Sequence, residues 1–358
     1  MIKVNKTNYK SYADFGNFTI GVRIDNSIEV LVLGVPYDDA VKPLLREIAA
    51  KLGFVVVKSW NTRQLGAYLV AYIKANYKKL VTIGKYTIGV RKNNSVVVFE
   101  NGILYSNPIK PLLEKTIAPM IGLTVKKSWN QRQLASEIIK RILNVGRIIY
   151  IFIMKRNCNH RYASYDFCYL YFQKNKGKLS TKNNIEKSCM YLWSYLASWG
   201  MLRGSSALLQ CSPAALKPLI EYFDSLYKSA SHIWDIDVDT YNVGANKKNL
   251  LDTYKDIENI LSKILSKKPT VTLVTKIMLV VFGNVPAFDT YFKNAFSKIY
   301  GVFSSFGIKE LDAINDFYSN FKILLDSIKI NVIDFNGKPT NIIYKKAKLI
   351  DMYGFTKR

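Results

Sequence analysis

The sequence predicts an α+β protein in which two tandem ββαβα repeats precede a mainly α-helical region. Two observations carry this prediction. A segment of about 68 residues occurs twice near the start of the chain, and apolar residues recur at helical spacing from about residue 155 onward. The predicted domains are therefore residues 1–80, 81–154 and 155–358, the last with a basic C-terminal tail.

The internal repeat is visible in two pairs of matching segments. Residues 16–23 (GNFTIGVR) match residues 84–91 (GKYTIGVR), and residues 59–65 (SWNTRQL) match residues 128–134 (SWNQRQL). The offset grows from 68 to 69 between the two pairs, which a one-residue insertion in the connecting helix explains. Because both copies retain the same polar residues, we expect one binding unit used twice, on a ligand that itself repeats.

A β-hairpin is predicted to open each repeat. In the first copy, residues 18–23 and 28–33 are rich in β-forming residues, and the turn-forming residues 24–27 (IDNS) separate them. The second copy repeats this pattern at residues 86–91, 92–95 and 96–99.

A helix and a short strand are predicted to follow each hairpin. The first-copy helix spans residues 38–52, where apolar residues form one helical stripe. Gly53 and Gly122 stand where this helix ends, because glycine commonly terminates helices. The short strands that follow are residues 54–58 and 123–127.

The last helix of each repeat is predicted to begin at Asn61 or Asn130. Each asparagine precedes a glutamine (Gln64 or Gln133) by three residues, the pattern of a capping box. This pattern accounts for the repeated asparagine and glutamine.

Arg63 and Arg132 lie in the first turn of these helices, where the helix dipole disfavours a positive charge. A bound phosphate would compensate for this cost. Pairing with a carboxylate, stacking on Trp60 or Trp129, or a contact between the repeats would also compensate.

The charge of the chain favours a polyanionic partner. Lys and Arg number 52 against 26 Asp and Glu, which gives a net charge of +26 and an isoelectric point near 9.7. Such an excess attracts nucleic acid at long range, and we expect DNA rather than RNA. Arg23 and Arg91, which end the first hairpin strand of each repeat, extend the expected basic track. A protein partner is the alternative.

Four cysteines are too few to form a stabilising disulfide framework in a chain of 358 residues, so we expect free thiols in a reducing compartment. The N-terminal residues lack the apolar run of a signal peptide, and the longest apolar stretches are about ten residues. These features predict a cytoplasmic protein without a membrane partner.

The third predicted domain is mainly helical. Residues 145–154 are predicted to form a hydrophobic connector or a last strand before it. Residues 331–338 are predicted to form a turn, and a basic helix with Lys345, Lys346 and Lys348 follows. The predicted helices are residues 185–199, 213–227, 247–265, 271–282, 289–300 and 310–328.

Residues 282–292 (FGNVPAFDTYF) follow an apolar helix and resemble the helix-hairpin-helix DNA glycosylases. In that family an apolar helix ends in Phe-Gly, and a proline-containing loop then delivers an aspartate to the next helix. The resemblance implies that Asp289 takes the place of the catalytic aspartate, with Lys276 close to the position of the lysine in lyase members. The family's histidine is replaced by Tyr291, and Asp289 has the alternative role of capping the following helix.

Three further patterns suggest binding or metal chemistry. Arg203 follows Gly200 and precedes a helix start at Ser205, an arrangement suited to phosphate or to a tight helix corner. Aromatic residues interleaved with lysine at residues 165–174 would allow stacking on single strands. Acids alternating at residues 235–239 suggest a Mg²⁺-dependent nuclease or a loop that caps the next helix.

The sequence contains no common zinc-binding pattern, since the spacing of Cys158, His160, Cys168 and Cys189 matches none. We therefore predict no metal and no cofactor. The favoured function is nucleic-acid binding through Arg23, Arg63, Arg91, Arg132 and Arg203. The alternatives are a non-enzymatic assembly scaffold of a viral or defence system, and a Mg²⁺-dependent nuclease or base-excision glycosylase.

Overall fold

The computed structural model describes residues 8–204, 206–265, 267–301 and 303–356. The chain divides into two compact units. Unit 1 comprises the described residues up to Tyr150 together with Ser319–Ile328, and unit 2 comprises Ile151–Tyr318 and the described residues from Lys329 onward. The α+β class is confirmed, since two four-stranded sheets precede a helical region.

Each repeat in unit 1 contains a four-stranded antiparallel meander followed by helices. The first has β1 (Tyr9–Phe15), β2 (Phe18–Arg23), β3 (Ile28–Val32), β4 (Val35–Pro36), α1 (Val41–Lys51) and α2 (Thr62–Asn76). The second has β5 (Tyr77–Ile83), β6 (Tyr86–Arg91), β7 (Val96–Glu100), β8 (Ile103–Leu104), α3 (Ile109–Leu112), a π-helical segment (Leu113–Ile117), α4 (Ala118–Met120) and α5 (Gln131–Met154).

The order of elements in each repeat is thus ββββαα rather than the predicted ββαβα. Residues 54–58 and 123–127 are not strands. In the first copy, Phe54 is half-buried and Val55 is exposed, and the next two residues repeat this alternation. The period-two pattern therefore reports which side chains pack inward, and it does not show that the backbone pairs with a sheet. The first and fourth strands of each sheet, β1 and β4 in the first and β5 and β8 in the second, were not predicted from the sequence.

Residues 145–154 are not a strand, because α5 continues through them to Met154. They run across the boundary between the units at residues 150 and 151, so the alternative of a hydrophobic connector fits them, in helical form. Ile149 and Phe152 are buried in this last part of the helix. A continuous apolar run is compatible with a buried strand or a buried helix, and its length does not separate the two when a helix precedes it.

Glycine backbone contacts join the repeats of unit 1. The N–H of Gly16, a residue with a φ of 61°, donates a hydrogen bond to the Leu80 carbonyl of the second repeat (2.7 Å). Gly84, the equivalent of Gly16, donates in the same way to the Asn320 carbonyl (2.8 Å). Residues 319–328 therefore cover the second repeat where a third repeat would otherwise follow, as capping elements do in repeat proteins.

Paired substitutions between the copies preserve packing beneath the sheets. A Cβ added to Gly66 in α2 would lie 2.7 Å from Ile28 atoms in β3. The second copy has Ala135 and Val96 at the equivalent positions, so the helix residue is one carbon larger and the strand residue one carbon smaller. The two sites therefore keep a similar total volume, as close packing requires.

Unit 2 contains most of the remaining helices. They are α6 (Ala163–Lys174), α7 (Ile185–Ser198), α8 (Lys217–Ala230), α9 (Asn246–Leu265), α10 (Val271–Val281), α11 (Thr290–Tyr300), α12 (Ile308–Asn320, whose last two residues belong to unit 1) and α14 (Lys346–Thr356). The short helix α13 (Lys322–Ser327) belongs to unit 1, and the hairpin of β9 (Asn331–Ile333) and β10 (Pro339–Ile343) belongs to unit 2.

Buried acids anchor the backbone of unit 2. The Asp224 carboxylate accepts hydrogen bonds from the N–H groups of Leu179 and Ser180 (2.9 and 2.7 Å). The Asp166 carboxylate accepts from the Ile333 N–H (3.0 Å) and from the Tyr344 hydroxyl (2.7 Å). These bonds satisfy charges whose burial would otherwise cost several kcal/mol, on the order of 3–5.

Two expectations about unit 2 are corrected by these contacts. Tyr165 and Tyr169 lie on α6 and are buried, so they cannot stack on a nucleic-acid strand. The predicted basic helix in the tail exists as α14, but Lys348 is buried and paired with Asp351 (2.7 Å). The Lys345 ammonium donates to backbone carbonyls, including that of Phe282 (2.8 Å). These two lysines therefore stabilise the unit rather than forming a basic surface.

We predict that Gly66→Ala lowers the free energy of unfolding by about 1–2 kcal/mol, because the added methyl group collides with Ile28. The higher helix propensity of alanine offsets part of this loss, by up to ~1 kcal/mol. Adding Ile28→Val should recover most of the loss, and Ala135→Gly is the matched change in the second copy. Urea unfolding of the single and double variants measures the coupling, and strictly additive effects would contradict the packing account.

Candidate functional site

The capping boxes predicted at the two long helices of unit 1 are confirmed. Asn61 accepts a hydrogen bond from the Gln64 N–H (2.9 Å), and the Gln64 side chain accepts one from the Asn61 N–H (3.0 Å). Asn130 and Gln133 form the same pair of bonds, both 2.9 Å long. The two helices therefore begin in the same local geometry.

Arg63 and Arg132 are exposed in the first turn of these helices. Within the described ranges, neither guanidinium forms an ion pair or a hydrogen bond. Neither stacks on the neighbouring tryptophan: Trp60 stacks on Tyr68 (4.6 Å between ring centroids), and Trp129 has the Lys126 ammonium over its ring (5.8 Å). Among the described residues, neither the carboxylate pairing nor the tryptophan stacking considered for these arginines is observed.

Arg23 and Arg91 occupy equivalent positions in different electrostatic surroundings. Arg23 forms an ion pair with Glu29, which also accepts a hydrogen bond from the Tyr9 hydroxyl. Burial, followed by Glu29, raises the pKa of Tyr9 to about 12. The second copy has Val97 in place of Glu29, and Arg91 has no carboxylate partner in the part of the chain that is described. The first copy thus neutralises this arginine and the second does not.

Arg203 lies in unit 2 and is exposed. Its guanidinium packs close to Gly200, where an added Cβ would approach the Arg203 Nε to 2.8 Å. Ser206 caps a four-residue 3₁₀ helix over Ala207–Gln210, while the predicted helix start at Ser205 lies outside the described residues. Both the tight helix corner and a phosphate contact of Arg203 stay predictions.

Asp289 caps α11, accepting a hydrogen bond from the Phe292 N–H (2.9 Å). It also lines a small cavity of about 10 Å³. Burial, opposed by its backbone hydrogen bonds, raises the pKa of Asp289. The structural role considered for this residue is observed, and its catalytic role stays a prediction. The other lining residues are Tyr195, Trp199, Lys276, Leu279, Ala287, Lys348, Asp351 and Phe355.

Lys276 brings a second ionisable group to this cavity. Its buried ammonium donates to the Trp199 carbonyl (2.9 Å) and lies over the Trp199 ring (5.4 Å from the centroid). Burial lowers the pKa of Lys276 to about 8, although Asp289 and Asp351 oppose this shift. An amine with this pKa is partly neutral near neutral pH and therefore nucleophilic.

Lys348 and Asp351 complete the buried cluster. They form an ion pair, and Asp351 also accepts a hydrogen bond from the Ala287 N–H (3.1 Å). Lys348 was predicted to lie in a basic tail helix, and Asp351 was not singled out from the sequence. Lys348 and Asp351 follow Asp289 by 59 and 62 residues, so no local pattern indicated that α14 would bring them to α10 and α11.

The alternating acids at residues 235–239 do not form a metal site. Asp237 caps a 3₁₀ turn and accepts hydrogen bonds from the N–H groups of Lys346 and Ala347 (2.6 and 2.9 Å), so it also caps α14. The helix-capping alternative for this segment is therefore closer to the structure, with Asp237 as the capping residue. Among the described residues, no cluster of His, Cys, Asp and Glu could hold a metal ion.

No protein-family model, curated protein or solved structure significantly matches this chain. In the ranges that the structure describes, every helix is too short or too polar to cross a membrane.

Lys276 should make the stability of the protein depend on pH. Its pKa is about 8 in the folded protein and about 10.4 when unfolded, so the folded state binds fewer protons between these values. The stability of the native protein relative to a Lys276→Met variant should therefore increase by on the order of 2–3 kcal/mol as pH rises from 7 to 10.5. Urea unfolding across this range measures the difference, with exposed Lys58→Met as the control. Parallel curves for native protein and Lys276→Met would contradict the lowered pKa.

Proposed function

We propose that this protein binds nucleic acid, with duplex DNA as the favoured ligand, through exposed cations of its two repeats. The observation that carries the proposal is the pair Arg63 and Arg132. Each is exposed, lies where the helix dipole disfavours it, and has no ion-pair partner among the described residues. A ligand phosphate supplies the missing negative charge, and the guanidinium geometry suits a phosphate.

The distribution of charge supports the proposal. Residues 1–150 contain 23 Lys and Arg against nine Asp and Glu. Lys58, Lys126 and Lys127, in the loops that lead into α2 and α5, are exposed. Each phosphate neutralised by such a cation releases counterions, so the repeats would bind a polyanion more tightly at low salt.

Arg91 favours a larger contribution from the second repeat. Arg23 is already paired with Glu29, whereas Arg91 has no acid partner in the described ranges. Phosphate contacts of this kind position a protein without specifying sequence, so binding through these residues would be insensitive to sequence. The competing function, a protein-binding scaffold, would rest on apolar contacts that salt does not weaken.

The salt dependence of DNA binding tests this proposal. The equilibrium constant for a labelled duplex should fall steeply between about 50 and 200 mM salt. The double variant Arg63→Ala/Arg132→Ala should reduce the slope of log K against log salt by about 2, since about one counterion is released per phosphate contact. Fluorescence anisotropy across a salt series measures this slope.

Two matched variants sharpen the comparison. Arg63→Lys/Arg132→Lys preserves the charges and should retain most of the slope. Arg23→Ala removes a cation that is already neutralised by Glu29. It should therefore change the slope of log K against log salt by less than Arg63→Ala or Arg132→Ala alone. Absence of binding at low salt, or an unchanged slope in the alanine double variant, would exclude the proposed contacts.

A second candidate function is base excision near Asp289, which requires its cavity to open, since a volume of about 10 Å³ holds no more than one water molecule. The observation that favours it is Lys276, which places a partly neutral amine beside a buried carboxylate. In this proposal the bond between the base and C1′ breaks while Asp289 stabilises the cationic sugar, the base leaves, and water adds to C1′ to give an abasic site. The aldehyde of its ring-opened form then condenses with the Lys276 amine to an imine, with release of water. Both roles follow the resemblance of residues 282–292 to the helix-hairpin-helix DNA glycosylases.

The expected product of this activity is an abasic site. Asp289→Asn, which can still cap α11, should abolish its formation on duplexes containing damaged bases while leaving salt-dependent binding intact. Borohydride should trap a covalent adduct with native protein but not with Lys276→Met. Alkali-revealed strand breaks measure the product, and equal breakage by native protein and Asp289→Asn would exclude the role of this aspartate.

A further inference from the structure

The first repeat carries an aromatic patch in the region of residues 54–68, in which Val55, Val57 and Tyr68 are exposed and Phe54 and Trp60 are half-buried. Val55 is 83% exposed, Tyr68 is 53% exposed and Val57 is 46% exposed. Adjacent exposed apolar side chains of this size commonly mark a binding surface.

The aromatic rings of the patch pack against one another and against α2. Trp60 stacks on Tyr68 with a centroid distance of 4.6 Å and an interplanar angle of 23°. Phe54 contacts Trp60 (6.2 Å) and also Tyr72 on α2 (5.0 Å). Among the described residues, Tyr68 has no ring contact other than Trp60. Because Tyr68 is 53% exposed, part of its side chain remains accessible to a ligand.

The fold of the repeat does not require this patch. The second copy retains Trp129, but it has Leu123, Thr124, Lys126 and Glu137 in place of Phe54, Val55, Val57 and Tyr68. It nevertheless has the same capping box and the same four-stranded sheet. The exposed apolar residues are thus a property of the first copy alone, and folding does not account for them.

The surroundings of the patch favour a nucleobase as its occupant. Lys58 precedes Trp60 in the loop, and Arg63 follows it in α2; both are exposed and neither forms an ion pair in the described part of the chain. Exposed cations that flank an aromatic residue in the chain suit an unpaired nucleotide, whose base stacks on a ring while its phosphates bind cations. A purely apolar protein partner would leave both cations without counter-charges.

We propose that the first repeat binds unpaired nucleotides by stacking a base on Tyr68, while the second repeat contacts phosphates only. This inference rests on the nucleic-acid binding proposed above. The ligand class it specifies is DNA in which unpaired nucleotides adjoin a duplex. Lys58 and Arg63 hold the phosphates on either side of the stacked base.

Three DNA ligands of the same duplex sequence test the inference: a blunt duplex, the duplex with a three-nucleotide overhang, and the duplex with an abasic overhang of equal length. Native protein should bind the base-bearing overhang about 10-fold more tightly than the abasic one, since each stacked base contributes substantially to affinity. Tyr68→Ala should lose this preference and retain its affinity for the blunt duplex. Glu137→Ala, at the matched position of the second repeat, should retain the preference.

The outcomes separate this inference from the proposed function. Equal binding of base-bearing and abasic overhangs by native protein would overturn base stacking while leaving duplex binding in place. Base stacking on Tyr68 would also be overturned if both Tyr68→Ala and Tyr68→Glu still preferred the base-bearing overhang to the abasic one. Tyr68→Glu is included because it places the residue of the second copy at this position. If the patch variants change only self-association or binding to another protein, the patch is a protein interface and the inference fails. Loss of all salt-dependent binding by native protein would instead refute the proposed function.

Discussion

Unit 1 depends on a close backbone approach between its repeats that only glycine permits. A Cβ added to Gly53, at the end of α1, would lie 2.1 Å from the Gly102 carbonyl in the second repeat. A Cβ added to Gly102 would lie 2.0 Å from the Ala50 carbonyl. Both glycines have positive φ values, so a side chain would be excluded by conformation as well as by space. This contact and the hydrogen bond from Gly16 to Leu80 fix one repeat against the other.

The turn of the first repeat that is equivalent to the turn at Asn101 and Gly102 makes different contacts. Leu33 occupies the position of Asn101 and has a φ of 55°, which is unusual for a branched apolar residue. Its side chain is buried, and Gly146 in α5 leaves space for it, since an added Cβ there would lie 2.6 Å from the Leu33 side chain. Burial of this leucine offsets the strained backbone. Two copies of one sequence pattern therefore make different contacts because their neighbours differ.

The buried charged residues of unit 2 are of two kinds: some stabilise the backbone, and others line a cavity. Asp166, Asp224 and Asp237 have their carboxylates occupied by backbone N–H groups, and their roles are explained by structure alone. Asp289 also caps a helix, yet it shares its cavity with Lys276, an amine whose pKa burial lowers. Burial raises the pKa of Asp166 and Asp237 as well as that of Asp289, so what distinguishes Asp289 is that it lines a cavity together with Lys276.

The sequence by itself determined the elements whose signals are local. The capping boxes at Asn61 and Asn130 and the helix boundaries of α7, α9 and α10 follow from residues a few positions apart, and each was predicted closely. The repeat also singled out Arg63 and Arg132 as residues that the capping boxes do not explain. Features that depend on residues distant in the sequence could be seen only in the tertiary structure. Residues 54–58 alternate like a strand but have no strand to pair with, Tyr165 is buried by helices far along the chain, and α14 brings Asp351 to Asp289. The periodicity of apolar side chains indicates only which face of a segment is buried. Whether its backbone pairs with a strand, and which charged side chains come together, depends on segments far away in the sequence.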